Sequence, residues 1–357
     1  MKHPLAIIIS AQFGYNPATF YYCKYLRNIY DITCICWDHG LPRMMLEQVK
    51  VVYVNRAGGP LRIFRLLAAI SCHVRGRETI LFLKYFKGVS TILRFWYWPN
   101  PFVLDIRTGS VDPRSYRRFC QDLLLRIETL WFPHVTVISK SLAKRLHLDH
   151  RATILPLGAE ILSDTDKDFT VMRLLYVGTL FNRHIDRMLE GFISFCRKQK
   201  LADRARLTII GTGKNNELDM LQNIVRQHGV EKSVSLLGQI PHDELGKYFN
   251  SHNVGISYIP MTSYYDVQPA TKTFEYLLSG LAVIGTATSE NKLVISETNG
   301  VLTGESPEEF ADGLVLLLKK MDSFDSQQIR NTAMQYSWRR ITDNLDGYIQ
   351  KTVLSSV

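Results

Sequence analysis

Short apolar runs alternate with amphipathic stretches along the first half of the chain. Residues 5–10 form an apolar run that leads into a loop at 11–17. A helix is predicted over 18–29, and strands over 32–36 and 51–54. Apolar residues at 61, 63, 64, 67, 68 and 70 have the spacing of one helical face, predicting a helix over 61–73. Short strands follow at 79–83, 102–106, 135–138 and 153–155, with helices at 113–130 and 140–146. Strands alternating with helices imply a parallel sheet covered on both faces. A polar, acidic stretch at 163–168 interrupts the pattern and reads as a linker. The alternation restarts at 173–177, with strands near 207–210, 234–237, 254–258 and 282–284 and helices such as 185–198 and 217–228. The predicted fold class is α/β: two Rossmann-like domains, residues 1–162 and 163–335, facing a central cleft. Open parallel sheets bind ligands at the carboxyl ends of their strands, which makes that cleft the expected site.

A chain of 357 residues suits two ordinary domains. With 46% apolar and 21% charged residues, the composition excludes a mainly disordered, collagen-like or multi-span membrane protein. The first apolar run is too short for a secretory leader. The expectation is a soluble, unsecreted, cytoplasmic protein. None of the six cysteines forms a Cys-x-x-Cys pair. Cys34 and Cys36 would share one face of a strand, and buried free thiols are expected rather than a metal pair. Charge is unevenly distributed. Residues 1–160 hold 22 of the 43 basic residues but only 10 of the 33 acidic ones. The first half therefore carries all the excess positive charge, which suits an anionic partner or simply a basic solvated surface.

Two segments carry candidate chemistry. In the first, Gln268 to Gly285, Pro269 can open a helix and Gly280 can stop it. The amino end of such a helix, near Thr271, offers free N–H groups and a positive dipole end to a diphosphate. Glu275, one turn in, can accept hydrogen bonds from a ribose diol. Lys272 and Glu275, three apart, equally describe an ordinary surface ion pair. In the second segment, Leu174 to Leu180 followed by Asn182-Arg183, Gly178 permits close approach of a ligand to the backbone. Arg183 can pair with phosphate oxygens there, or be a solvated arginine in a plain strand-to-helix turn.

In order and spacing, several motifs between residues 130 and 345 resemble the GT-B glycosyltransferases, specifically the retaining family 4, or glycosyl transferases group 1. They are Val137-Ile138-Ser139, Ile154-Leu155-Pro156-Leu157-Gly158, Tyr176-Val177-Gly178, Ile209-Ile210-Gly211-Thr212-Gly213, Leu236-Leu237-Gly238-Gln239-Ile240-Pro241, Lys272-x-x-Glu275-Tyr276-x-x-x-Gly280 and Tyr336-Ser337-Trp338. The resemblance implies a nucleotide-sugar donor domain in the second half and a C-terminal helix, 336–357, that returns to the first domain. It implies a sugar transferred with retention from a nucleotide-diphosphate sugar to an acceptor hydroxyl. A glycan or lipid-linked sugar is the expected acceptor, and bacterial surface polysaccharide synthesis the expected context. Glu275 would hold the ribose. Arg183 and Lys272 would meet the diphosphate, and Gly178, Thr179, Gly213 and Thr271 would border the donor. Gln239 and Ile240 would meet the base. No cofactor or metal is expected, because the leaving diphosphate would take the acceptor proton.

The chain departs from the family pattern at three places. A second glutamate expected eight residues before Glu275 is Val267, with Asp266 beside it as a substitute contact to the donor sugar. Where the family often has a histidine, the chain has Asp105-Ile106-Arg107. Arg107 would meet the donor phosphate or an anionic acceptor with Asp105 orienting it, or the two would form a buried structural pair. A paired glycine near the first strand is reduced to Gly14. The Asp164-Thr165-Asp166 sequence lies in the expected linker and is not read as a metal site. Bases and aromatics mix at 84–102, which suggests an anionic membrane surface as a partner of the first domain, or simply core aromatics. No nucleic-acid partner is expected. Rival readings are a GT-B nucleotide-sugar epimerase and a degenerate, non-catalytic partner subunit.

Overall fold

The computed structural model describes residues 2–356 except 60, 75, 113 and 201–203. Contacts divide the chain into two compact units, residues 1–157 with 338–357, and residues 158–337. The division falls at Leu157/Gly158, ahead of the acidic stretch. That stretch is packed, not free: Asp166 pairs with Arg330 at 2.8 Å, and the Lys167 N–H donates to the Ser326 hydroxyl at 2.8 Å.

In the first unit seven strands form one parallel sheet. They are β1 (His3–Ile9), β2 (Tyr30–Asp38), β3 (Val49–Asn55), β4 (Ile80–Lys84), β5 (Phe102–Ile106), β6 (His134–Val137) and β7 (Thr153–Ile154), in spatial order 3-2-1-4-5-6-7. β1 sits inside the sheet and is covered on both faces, so Leu5 to Ile9 are all buried. The helices are α1 (Pro17–Leu26), α2 (Leu61–His73), α3 (Val89–Trp96), α4 (Ser115–Thr129) and α5 (Lys140–Arg145). α1 begins where Asn16 accepts the Thr19 N–H at 3.2 Å and Pro17 sets the first turn. It ends three residues before the predicted limit, and α3 occupies part of the basic-aromatic stretch.

The second unit has a six-stranded parallel sheet of β8 (Met172–Val177), β9 (Ala205–Ile210), β10 (Val234–Leu236), β11 (Val254–Ser257), β12 (Ala282–Thr286) and β13 (Gly300–Thr303). Its order is 10-9-8-11-12-13, so the direction of winding reverses between β8 and β11. The helices are α6 (Ile185–Gln199), α7 (Glu217–His228), α8 (Gly246–Ser251), α9 (Thr271–Leu278), α10 (Asn291–Val294), α11 (Pro307–Lys320) and α12 (Ser326–Ala333). Then α13 (Trp338–Tyr348) joins the core of the first unit. Trp338 stacks on Tyr21 at 5.1 Å and meets Tyr22 edge-on, while the Tyr30 hydroxyl donates to Asp346 at 2.6 Å.

Cys34 and Cys36 are buried free thiols, as expected, and so are Cys23 and Cys196; Cys72 and Cys120 are exposed on α2 and α4.

Candidate functional site

A pocket of about 360 Å³ opens at the carboxyl ends of β8 and β11, where the winding of the second sheet reverses. Neighbouring crossovers leave the sheet on opposite faces there, and the crevice between them is the usual ligand position in such sheets. Gly178, Thr179 and Arg183 form one wall; Gln268, Thr271 and Lys272 form the other.

The first wall is fixed by interlocked loops. The Gly178 N–H donates to Ile210 O at 3.0 Å and the Leu180 N–H to Thr212 O at 3.0 Å. Gly211 has φ +154°, and a Cβ there would lie 1.8 Å from the Gly178 carbonyl oxygen, so only glycine allows this approach. Beyond it, Asn182 (φ +54°) and His184 (φ +53°) both hold left-handed backbone on either side of Arg183. Strained positions of this kind cluster at ligand-binding and switch segments. Here the Arg183 guanidinium sits 4.3 Å from the Tyr265 ring centre.

The second wall is the start of α9, which begins two residues after Pro269 rather than at it. Its cap position is Ala270, which has no side chain to accept an N–H, so the first-turn donors have no side-chain cap. The helix is held rigidly. The Tyr276 ring passes over Gly255, where a Cβ would collide with it, and its hydroxyl accepts the Val177 N–H at 2.8 Å. Ser257, Thr273 and Asn291 form a buried hydrogen-bonded cluster under the same turn. The buried Gln268 Nε2, in the pocket wall, has no hydrogen-bond partner among the described residues. An unmade bond at a buried donor is costly, and a polar ligand would remove that cost.

Glu275 is only 4% exposed. One oxygen pairs with Lys272 Nζ, and the other lies 3.6 Å from His242 Nε2. The other ring nitrogen of His242 is 3.5 Å from Glu160. His242 and Glu160 were not legible as site residues: they come from separate segments that only the fold brings to Glu275. The neighbouring Glu275 carboxylate raises the His242 pKa above its usual value, against the opposing effect of burial. A raised pKa means that the pair's contribution is complete below about pH 6.5 and lost as pH rises through the folded-state value. We expect the difference in unfolding midpoint between the wild type and His242→Ala to be largest near pH 6 and to shrink at about pH 8.5. Calorimetric scans at the two pH values check this.

The remaining sequence candidates lie elsewhere. Asp266 does not line the pocket: it accepts the Ser289 N–H at 2.8 Å and the Ser289 hydroxyl at 2.5 Å. Gly213, Gln239 and Ile240 are also outside the lining; Gln239 is exposed and Ile240 half-buried. In the first unit, Asp105 and Arg107 form a buried pair at 2.7 Å. Asp105 also accepts the Thr136 hydroxyl at 2.7 Å, and Arg107 donates to the Leu155 and Pro156 carbonyls at 3.0 and 3.2 Å. Burial pushes the Asp105 carboxyl up and the Arg107 guanidinium down, but each is the other's counter-ion at contact distance. The pair thus braces the end of β5 against the exit of β7, while Arg107 Nη2 is buried with no hydrogen-bond partner among the described residues.

Two parallel α/β units, the second with a pocket at its topological switch point, define the GT-B fold class. Over 100% of both chains, the structure is similar to sucrose-phosphate synthase from Thermosynechococcus elongatus (TM-score 0.77, 14% identity) and to the lipopolysaccharide outer core galactosyltransferase WaaB (TM-score 0.69, 14% identity). It is also similar to HepE of Anabaena in complex with UDP and glucose, with TM-score 0.74 and 13% identity over 98% of this chain and 100% of that one. At such identities these likenesses establish the fold. No curated protein sequence matches the chain. Residues 162–334 match the sequence model of the family described as "Glycosyl transferases group 1", so the second unit carries a glycosyltransferase domain of that group.

Proposed function

We propose that the protein transfers a sugar, with retention, from a nucleotide-diphosphate sugar to an acceptor hydroxyl of a glycan or lipid-linked sugar. Synthesis of a bacterial surface polysaccharide is the proposed setting. The observation that carries this reading is the pocket at the switch point of the second unit, in which the uncapped start of α9, Arg183 and Lys272 line one cavity. An anionic diphosphate placed there meets two cations and a helix dipole end. Glu275, one turn further in, accepts the ribose hydroxyls after exchanging its Lys272 or His242 contact for them. Gln268 supplies its orphaned donor to a donor oxygen. In the reaction, the bond from the anomeric carbon to the diphosphate oxygen breaks as the acceptor oxygen bonds to that carbon on the same face. The departing diphosphate oxygen takes the acceptor proton. Arg183 and Lys272 stabilise the charge that grows on the leaving group, the kind of term that dominates many enzymes.

HepE's complex with UDP makes a uridine nucleotide the first ligand to test. Calorimetric titration with UDP, GDP, dTDP, ADP and CMP should reveal one tight binder. Glu275→Ala should weaken that binder by about 1.5–3 kcal/mol, the usual loss of a hydrogen bond to a charged group. Binding of the nucleotide by wild type and variant alike would reject the ribose assignment. Tight binding without turnover across an acceptor panel would favour a degenerate partner subunit.

A further inference from the structure

The apolar stripe of α4 faces outward. Tyr116, Phe119, Leu123, Ile127, Leu130 and Trp131 follow helical spacing and are all exposed, Phe119 to 68% and Leu130 to 66%. An amphipathic helix of a globular protein ordinarily buries that stripe. Instead α4 buries Leu125, Glu128 and Thr129. The patch continues onto α3, whose Phe95 ring lies 5.0 Å from the Trp131 ring, and reaches the exposed Trp96 and Trp98. Contiguous apolar surfaces of this sort mark interaction sites. The sequence pointed to residues 84–102 for such a role; Arg94 and Phe102 of that stretch are buried, while Phe95, Trp96 and Trp98 are exposed and extend the α4 stripe.

Charge selects the occupant. Both carboxylates of α4 are engaged within the unit. Glu128 accepts the Gly88 N–H and the Thr91 hydroxyl at 3.0 Å each, and Asp122 pairs with Arg145 at 2.5 Å. The exposed Arg117 and Arg126 lie on the two sides of the apolar stripe at 3.6 residues per turn. Between α4 and the end of α5 is a pocket of about 360 Å³ lined by Arg118, Arg126 and Arg145. In it the Arg145 guanidinium keeps one buried nitrogen without a hydrogen-bond partner among the described residues. Two copies of this face would bring arginines against arginines, which opposes self-association. An anionic bilayer satisfies both parts at once, with acyl chains under the stripe, tryptophans at headgroup depth and lipid phosphates on the arginines.

We propose that the α3–α4 face docks the protein on an anionic lipid bilayer, with α4 lying in the plane of the interface. No helix among the described residues is long and apolar enough to cross a membrane, so this contact is peripheral. The proposal does not depend on the donor pocket.

The test is flotation of the full chain with vesicles of phosphatidylglycerol and phosphatidylcholine, against phosphatidylcholine alone, at low salt. The wild type should float only with the anionic vesicles. Arg117→Gln with Arg126→Gln should weaken partitioning roughly 30-fold, from the electrostatic worth of two surface arginines. Phe119→Ser with Leu130→Ser should abolish it while the unfolding midpoint stays put, since neither side chain is buried. Failure of the wild type to float with anionic vesicles overturns the proposal, as does undiminished flotation of the serine variant. A concentration-dependent dimer in lipid-free solution that the serine variant dissolves assigns the face to a second copy of the chain, and also overturns it.

Discussion

Replacing Arg183 by alanine is expected to lower kcat/KM for sugar transfer by about 10²–10³, with the unfolding midpoint lowered by only about 1–4 °C. The side chain is half-buried in the donor pocket, and no carboxylate pairs with it among the described residues. Its removal therefore leaves no counter-ion stranded, and the folded state loses only a contact with the Tyr265 ring, worth about 0.5–1 kcal/mol at a partly exposed site. The loss falls on the transition state, where negative charge grows on the leaving diphosphate. Arg183→Lys should recover part of the rate, because it restores charge but not the two-pronged donor geometry. Steady-state rates at saturating acceptor, beside calorimetric scans, measure both quantities. A variant with wild-type kcat/KM would remove Arg183 from the mechanism.

Gly211→Ala should be the most damaging single methyl in the second unit. The added Cβ would stand 1.8 Å from the Gly178 carbonyl oxygen, a backbone atom that cannot swing aside, at a φ of +154° that L side chains rarely adopt. Relief requires β8 and β9 to part at their carboxyl ends, where Gly178 and Thr179 border the pocket. We expect a loss of about 3–5 kcal/mol, a midpoint lower by roughly 10 °C and no measurable nucleotide binding. Gly238→Ala is the control: it also has positive φ, +64°, but nothing lies within 4 Å of its Cβ, so about 1 kcal/mol of backbone strain is the whole cost. Similar midpoints for the two variants would show that the interlocked loops can move apart freely.

Much of the fold was readable because each buried parallel strand is a short apolar run and each intervening helix repeats at its own period. The lining of the pocket between β8 and β11 was partly readable for a related reason. Gly178, Thr179, Arg183, Thr271 and Lys272 follow directly on a strand end or open a helix, positions that local sequence marks. What escaped reading depends on distant partners. The 163–168 stretch looked like a linker by composition, yet Asp166 meets an arginine 164 residues away. His242 and Glu160 reach Glu275 from segments with no local signature. Asp266 meets Ser289 from a separate segment, a contact its own neighbours do not announce. The helix over 113–130 was expected, but a helical segment does not by itself say which way its apolar stripe faces.

The contact between Trp338 and the Tyr21–Tyr22 pair also sets a timetable. The whole second unit is spliced into the first, so the opening helix of the chain waits more than 300 residues for the segment that covers it. Loop closure costs only about 0.6 kcal/mol per doubling of length, so the arrangement is tolerable at equilibrium. It is costly in time, because non-local pairings form slowly and leave apolar surface open meanwhile. On the ribosome, the inserted unit has all its strands while the first still lacks α13. The half of the molecule made first is the half finished last, and its uncovered aromatic cluster is where a chaperone would find the nascent chain.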